Sequence, residues 1–406
     1  MQNFKKTFIK VYSGQAFSIV SSSVVQFALI WYITLQTKSG LYVSLATLAA
    51  FLPQGIIGIY AGSVVDKYNR KNIMIYADMF VAIMSLLLLI LSNIYTLSIP
   101  MILIFLMLRS IGTAFHEPAL QASVPLIVPT EKLLKYNSYV NMINSTSNII
   151  SPMIASFLLA VANINFIIAF DILGAIIAIS MIKISDIPNV VHEHFKKESY
   201  IDSMKQGLSI VKNNKVLKVI FINGLCFTIL YMPITSLFPL LINQQFLKDE
   251  SGIAIVQASY GIGMLLGAIV VTKLKIFRIL LRNLSIATIL ISISLFISYF
   301  LNVDQFYIFI VVCLLLGMGA PIINTSVVTM IAKNVNKEYL GRIYANLSTI
   351  TIIVMPIGLL ISGNVADIIG VSNWYLISSI LFLGLVIFQY TAYKIISKDK
   401  TSKIYK

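Results

Sequence analysis

Twelve long apolar runs dominate this sequence and constrain its fold more than any other feature. Each run is about 20 residues or longer, the length of an α-helix that crosses a bilayer. Only 11% of the residues are charged and 58% are apolar, too few charges for a soluble surface of ordinary polarity. We therefore predict an all-α integral membrane protein. Its twelve transmembrane helices are expected near residues 12–34, 42–64, 72–94, 100–122, 137–160, 163–184, 216–242, 252–272, 279–300, 305–331, 342–363 and 373–396.

Basic residues are unevenly distributed between alternate connections of these helices. If both termini are cytoplasmic, 27 of the 30 Lys and Arg side chains lie on the cytoplasmic side. Lys38 and Lys248 lie opposite, and Arg109 is left within a span. This segregation follows the positive-inside rule. The net charge of +15 therefore indicates orientation in a membrane, not binding to nucleic acid. We predict a multi-pass protein of the bacterial cytoplasmic membrane with both termini in the cytoplasm.

The two halves of the chain resemble each other at an offset of 204 to 207 residues, about half of 406. The matching features are Gly62 and Gly267, Gly112 and Gly317, Pro152 and Pro356, and an E-x-L-x-[KR] motif at 131–135 and 338–342. Four matches in order favour duplication of a six-helix unit. Two parallel six-helix repeats are typical of transporters that rock one half against the other. We predict an N-terminal bundle over 1–184, a cytoplasmic linker over 185–215 and a C-terminal bundle over 216–406.

The predicted linker contains apolar residues at helical spacing, namely Ile201, Met204, Leu208 and Val211. Polar residues separate them, which is typical of an amphipathic helix on a membrane surface. We expect such a helix on the cytoplasmic face. A simple tether between the two bundles is the plainer interpretation.

The turn after the second span reads GSVVDKYNRK, residues 62–71. It resembles the loop signature of the major facilitator superfamily, with Asn69 in place of a glycine. Gly62 would permit close helix packing, and Asp66 could cap or pair with a helix end. Asn tolerates a positive φ, so Asn69 is a mild departure. We interpret this turn as a conformational latch, with a simple charged turn as the alternative; its candidate residues are Gly62, Asp66, Arg70, Lys71 and Asp78.

Ser151 and Pro152 lie in a small-residue stretch of the fifth span. The stretch is similar to the proline-containing motif of drug:proton antiporters in this superfamily, with Ser and Ala where glycines are usual. Small residues beside a proline allow close packing and a kink. Both residues are added to the conformational candidates; ordinary small-residue packing is the alternative.

The fourth span, LMLRSIGTAFHEPALQASVPLIVP, resembles the macrolide-efflux (Mef-type) branch of the superfamily. The segments RKNIMIYAD, SPMIAS and IIAFDILGA resemble that branch as well. The resemblance implies the major facilitator fold and proton-driven export of amphipathic drugs such as macrolides. It also implies action as a monomer, with a proton gradient as the driving force and no cofactor.

Ionisable side chains inside a span are costly and indicate function. Glu117 is the first candidate for proton coupling and Asp171 the second, because a carboxylate in a partly dry cavity can take up and release protons. Arg109 and His116 are seven residues apart and share one helix face. Arg109 is expected to act as a fixed countercharge. His116 could relay protons, and a structural role is the plainer interpretation for this side chain. The alternatives are a structural salt-bridged acid and a hydrogen-bonded structural imidazole.

Polar and aromatic residues at helical spacing predict a cavity for an amphipathic substrate. Polar residues also hold membrane helices together, so a packing role is the alternative for each. The candidates are Gln15, Ser22, Gln26, Phe27, Asn144, Asn148, Asn223, Tyr231 and Asn346.

Other functional classes are less consistent with the sequence. No phosphate-binding G-x-x-x-x-G-K-[ST] loop occurs, which excludes an ATP-driven pump of that type. The sequence contains no metal-ligand cluster and no nucleophilic constellation, so we expect no enzyme and no metal site. Cys226 and Cys313 lie in apolar runs and are expected to be buried small side chains. Transport of a siderophore, a lipid or another small metabolite remains the alternative function, and a non-transporting membrane sensor is a further one.

Overall fold

The computed structural model describes residues 3–188, 200–273, 280–336 and 339–397. Within these ranges the chain is helical and contains no strand. The helices are α1 (Asn3–Thr37), α2 (Gly40–Lys67), α3 (Arg70–Ile94), α4 (Ile99–Ile127), α5 (Leu133–Val161), α6 (Ile164–Lys183), α7 (Tyr200–Asn213), α8 (Lys215–Phe246), α9 (Glu250–Lys273), α10 (Leu280–Phe300), α11 (Phe306–Asn334), α12 (Leu340–Ile369) and α13 (Val371–Ser397). The predicted all-α membrane class is confirmed.

Eleven of the described helices are long and apolar enough to cross a bilayer. Helix α5 has 29 residues, but its first half is rich in Asn and Ser, and it is not among the eleven. The count of twelve spans therefore stays a prediction, as does the two-repeat layout. The helices extend beyond several predicted ends because hydropathy marks the apolar middle of a span, while the helix continues into polar sequence. Helix α1, for example, begins at Asn3 and not near residue 12.

Asparagine side chains begin three of these helices. Asn69, Asn163 and Asn214 accept hydrogen bonds from backbone N–H groups in the first turns of α3, α6 and α8.

Before α9, the Asp249 carboxylate accepts hydrogen bonds from the Ser251 amide and hydroxyl, and the hydroxyl contact lowers the pKa of Asp249. Gly370, with φ of 91°, makes the sharp turn between α12 and α13 that a side chain would strain.

Residues Met1–Thr37 and Leu45–Phe195 form the first of two compact units. In this unit α1 packs against α5 and α6, and α3 packs against α4 and α6. An apolar cluster that includes Phe8, Tyr12, Met74 and Val124 fills one region between these helices.

Residues Lys38–Ser44 and Lys196–Lys406 form the second unit. Here α9 packs against α11, α10 against α11 and α13, and α8 against α12 and α13. Close contact of α9 and α11 requires glycine, because a Cβ at Gly317 would overlap the backbone carbonyl of Tyr260. The predicted segment boundaries at 184/185 and 215/216 stay a prediction, and residues 189–199 of the linker lie outside the described ranges.

Helix α7 is the predicted linker helix. It packs against α12 and α8, and its Val211 side chain is buried. The Asn346 amide of α12 donates a hydrogen bond to the Met204 carbonyl at 3.1 Å, and Arg342 donates one to Gln206. The helix is therefore fixed by polar contacts to α12 as well as by its apolar face.

Candidate functional site

Arg109 and Asp171 form a buried ion pair in the first unit. Helix α4 supplies Arg109 and helix α6 supplies Asp171, and their Nη1 and Oδ2 atoms are 2.5 Å apart. Asp171 is 0% exposed and Arg109 5%. The Arg109 guanidinium therefore lies against a carboxylate, while its role in proton coupling stays a prediction. Because the pair is almost fully dehydrated, both charges depend on their mutual contact and on further hydrogen bonds.

Serine hydroxyls from two other helices complete this ion pair. Ser85 of α3 accepts a hydrogen bond from Arg109 and donates one to Asp171 Oδ2 at 2.7 Å. Ser22 of α1 donates to Asp171 Oδ1 at 2.6 Å, and its carbonyl accepts from Arg109 Nη2 at 3.3 Å. Four helices, α1, α3, α4 and α6, thus meet at one charged network.

Asp78 and His116 form a second titratable pair in the same unit. His116 Nε2 is 3.5 Å from Asp78 Oδ1. Gln15 Nε2 donates to Asp78 Oδ2 at 2.9 Å, and the Ser18 hydroxyl lies 3.5 Å from Oδ1. Gln15 is fully buried, so it holds Asp78 and does not line the cavity described next. Asp78 was predicted to belong to the conformational motif, and its contact with His116 was not expected from the sequence.

A cavity of about 260 Å³ opens beside these pairs, within the first unit. It brings together the predicted residues Gln26, Phe27, Asn144, Asn148, His116 and Glu117. Ser22 lines a smaller neighbouring cavity, together with Asp78 and Arg109. His116 lines both cavities. Apolar, amide and ionisable side chains therefore meet in one small volume.

Glu117 faces this cavity from α4, and its partner comes from α2. Gln54 Nε2 donates to Glu117 Oε2 at 3.0 Å. The Gln54 backbone N–H in turn donates to the Ser110 hydroxyl at 2.9 Å. Neither Gln54 nor the cavity residue Phe51 was identified from the sequence. A single glutamine in an apolar span gives little signal of its own, and its partner is 63 residues away.

The motif turn between α2 and α3 adopts a geometry that differs from two expectations. Asn69 has φ of −62°, so it serves as the N-cap of α3 and needs no left-handed conformation. No heavy atom lies within 4 Å of the position that a Cβ on Gly62 would occupy, so Gly62 makes no close helix contact here. Asp66 pairs with Arg70 at 3.8 Å. Lys71 Nζ donates to the carbonyls of Lys183 and Ser185, at the end of α6.

Ser151 and Pro152 lie in α5 at its contact with α1. The Ser151 hydroxyl is within hydrogen-bond distance of Ser147 Oγ, at 3.1 Å, and donates to the Val20 carbonyl at 3.4 Å. Ser151 and Pro152 are both buried. The small residues of this stretch therefore pack against α1.

The remaining predicted cavity residues belong to the second unit, where the structure buries them in contacts between helices. Asn223 accepts a hydrogen bond from Gln389 at 2.6 Å, and the hydroxyls of Tyr231 and Tyr260 are 2.6 Å apart. Asn346 holds α7, as described above. The structure places these three residues in helix contacts within the second unit. Gln389 and Tyr260 were not identified from the sequence, which contains many similar polar positions.

Known proteins are similar to this chain in sequence and in fold. The family model "Major Facilitator Superfamily" matches residues 11–351. Macrolide efflux protein A of Streptococcus pyogenes is 37% identical over 388 residues, covering 95% of each chain. The multidrug efflux pump Tap of Mycolicibacterium fortuitum is 24% identical over 372 residues, covering 88% of each.

A solved structure of a bacterial homolog of the human lysosomal transporter Spinster has the same fold. Its TM-score is 0.71 at 13% identity, and the match covers 99% of each chain. The match of the family model to most of the chain agrees with the motifs in α2, α3 and α5. The chain belongs to the major facilitator superfamily of membrane transporters.

Proposed function

We propose that this transporter exports amphipathic drugs such as macrolides by alternating access, coupled to proton uptake. The cavity of the first unit carries the proposal, because it combines a volume of about 260 Å³ with ionisable His116 and Glu117 in its wall. The 37% identity to a macrolide efflux protein over 95% of both chains supports the substrate class.

The cavity has the composition that an amphipathic compound requires. Phe27, Phe51 and Leu120 offer apolar area, while Asn144 and Asn148 offer amide groups. Its ionisable side chains would exchange protons as access changes from one side of the membrane to the other. The dehydrated Arg109–Asp171 pair would hold α4 and α6 in register beside them.

The proposed setting is the bacterial cytoplasmic membrane, with both termini in the cytoplasm. The protein would act there as a monomer, with the proton gradient as its driving force and no bound cofactor. Its partners are then the lipid bilayer, protons and a small amphipathic substrate.

Expression in a bacterial host that lacks its own drug pumps tests the export function. We expect higher inhibitory concentrations of macrolides and lower cellular accumulation of labelled drug than with an empty vector. A protonophore is expected to abolish the difference in accumulation. Unchanged susceptibility to macrolides and other lipophilic drugs would contradict the proposal, and transport of a siderophore or lipid would then be the function to measure.

Drug-driven proton flux in proteoliposomes tests the coupling directly. We expect Glu117→Gln to abolish this flux while the protein is still produced. Glu131→Gln is the matched control, because Glu131 is exposed in the 3₁₀ turn Thr130–Lys132. Undiminished flux in Glu117→Gln would remove Glu117 from the coupling mechanism.

A further inference from the structure

The negative charge of Glu117 has no basic partner among the described residues. Three acid–base pairs in the described part of the chain lie within 4 Å, and Glu117 belongs to none of them. Arg109, eight residues earlier on α4, is engaged by Asp171. Glu117 has one amide donor, Gln54, on Oε2. A carboxylate in this position favours a cationic ligand group.

Two aromatic rings line the same cavity as Glu117. The ring centroids of Phe27 and Phe51 are 6.5 Å apart, and their planes are inclined by 58°. The face of a phenyl ring attracts an ammonium ion through its quadrupole. A carboxylate beside two such rings is a combination that recognises amines which are both charged and apolar.

The size of the cavity limits which part of a drug it can hold. Pockets for whole drug-sized ligands measure about 300–1,000 Å³. The cavity measures about 260 Å³, a little below this range, so a headgroup with a few attached carbons is enough to fill it. The side-chain carbonyls of Asn144 and Asn148 can accept further hydrogen bonds from such a group.

The other two acids of this region are less suited to an organic cation. Asp171 is 0% exposed and already paired with Arg109, and Asp78 is 6% exposed and bound by Gln15. The volume beside Asp78 is only about 80 Å³. Glu117 is half-buried and faces the larger cavity.

We propose that Glu117, with Phe27 and Phe51, binds the protonated amine of the exported compound, and that the transporter therefore selects cationic amphipathic amines over neutral compounds of the same shape. This inference rests on the proposed export function, but it concerns ligand binding and can be measured apart from transport.

Equilibrium binding of two radiolabelled macrolides to the purified full-length protein in lipid nanodiscs tests this inference. Erythromycin carries a basic dimethylamino group on its amino sugar. In the N-demethyl-N-acetyl derivative the same nitrogen is an uncharged amide. We expect the wild-type protein to bind erythromycin about 10- to 100-fold more tightly, the range for a hydrogen bond to a charged group. Glu117→Gln should lose this preference, and Glu117→Asp should keep most of it.

A further variant and two controls keep the test independent of folding defects in Glu117→Gln. Phe27→Leu retains the carboxylate and should weaken binding of erythromycin severalfold, with little change for the amide. Phe157→Leu is its matched control, because Phe157 is 59% exposed on α5. Glu131→Gln is the control for loss of one carboxylate and should bind like wild type.

The outcomes separate this inference from the export function. A preference for erythromycin that persists in Glu117→Gln overturns the inference, as does equal or absent binding of both compounds by the wild type. Export of both macrolides from cells, undiminished in Glu117→Gln, leaves the export function standing and overturns the amine site. Binding that depends on Glu117 without any export from cells supports the amine site and contradicts the export function.

Discussion

The first unit buries charged side chains between its helices, whereas the buried polar groups described in the second unit are mainly amides and hydroxyls. Arg70, Asp78, Arg109 and Asp171 are each less than 9% exposed in the first unit. In the second unit the buried Gln389 amide donates hydrogen bonds to Asn223 at 2.6 Å and to Thr288 at 3.0 Å. Both networks connect helices, but of these groups only the carboxylates can gain or lose a proton near neutral pH, because a guanidinium stays charged and amides and hydroxyls stay neutral. Under the proposed proton coupling, we therefore expect the response to protons in the first unit.

The two units also differ in how their glycines pack. Gly112 of α4 lies against the side chains of Val81 and Phe80, which can adjust. Gly263 and Gly317, at the contact of α9 with α11, lie against backbone atoms, which cannot. The second unit therefore depends on close backbone contacts, as glycine-mediated membrane helix pairs do.

Breaking the Arg109–Asp171 pair is expected to have the largest effect. Asp171→Asn leaves the Arg109 guanidinium buried without its countercharge and should reduce stability by about 3–5 kcal/mol. Transport should be lost with it. Thermal unfolding of the purified protein measures the first effect and drug accumulation in cells the second.

The double variant Arg109→Gln/Asp171→Asn sharpens this result. It removes both charges, so it should be more stable than Asp171→Asn alone. If Asp171→Asn unfolds at the same temperature as the wild type, the buried ion pair does not contribute to the stability of the folded protein, and the expectation is wrong.

Gly317→Ala is expected to destabilise the second unit by about 1–3 kcal/mol, the usual cost of overpacking. Its methyl group would meet the Tyr260 carbonyl, so α9 and α11 would have to move apart. Gly112→Ala is the matched comparison in the first unit and should cost less, because the side chain of Val81 can change rotamer. Thermal unfolding of both variants in the same detergent checks the ranking; equal unfolding temperatures would contradict the difference in packing.

Much of the architecture could be predicted from the sequence, because apolar runs are local features. The candidate site was less accessible. Arg109 and Asp171 were both identified as ionisable groups within spans, but their pairing depends on how α4 and α6 are rotated, and a sequence separation of 62 residues does not reveal this rotation. Helical spacing also cannot distinguish a polar face toward a cavity from one toward a neighbouring helix. For this reason Asn148 and Asn223 looked alike in sequence, yet Asn148 lines a cavity whereas Asn223 is buried against Gln389.

Asp78→Asn tests what the second buried pair contributes to stability. Asparagine keeps an acceptor for Gln15 but removes the carboxylate that lies 3.5 Å from His116 Nε2. We expect a loss of stability of about 1–2 kcal/mol, because a hydrogen bond to a charged acceptor is replaced by a weaker one to a neutral amide. Thermal unfolding of the purified variant checks the expectation, and an unfolding temperature equal to that of the wild type would contradict it.

Gln389→Met is expected to have the smallest effect. It removes the two hydrogen bonds from Gln389 to Asn223 and Thr288, and such bonds between membrane helices contribute about 0.6 kcal/mol each on average. Methionine fills a similar volume, so the packing of α13 against α8 and α10 should persist. Because no charge is removed, drug efflux should keep the pH profile of the wild type. A shifted pH profile in Gln389→Met would show that the second unit takes part in the response to protons, and would overturn the distinction between the two units.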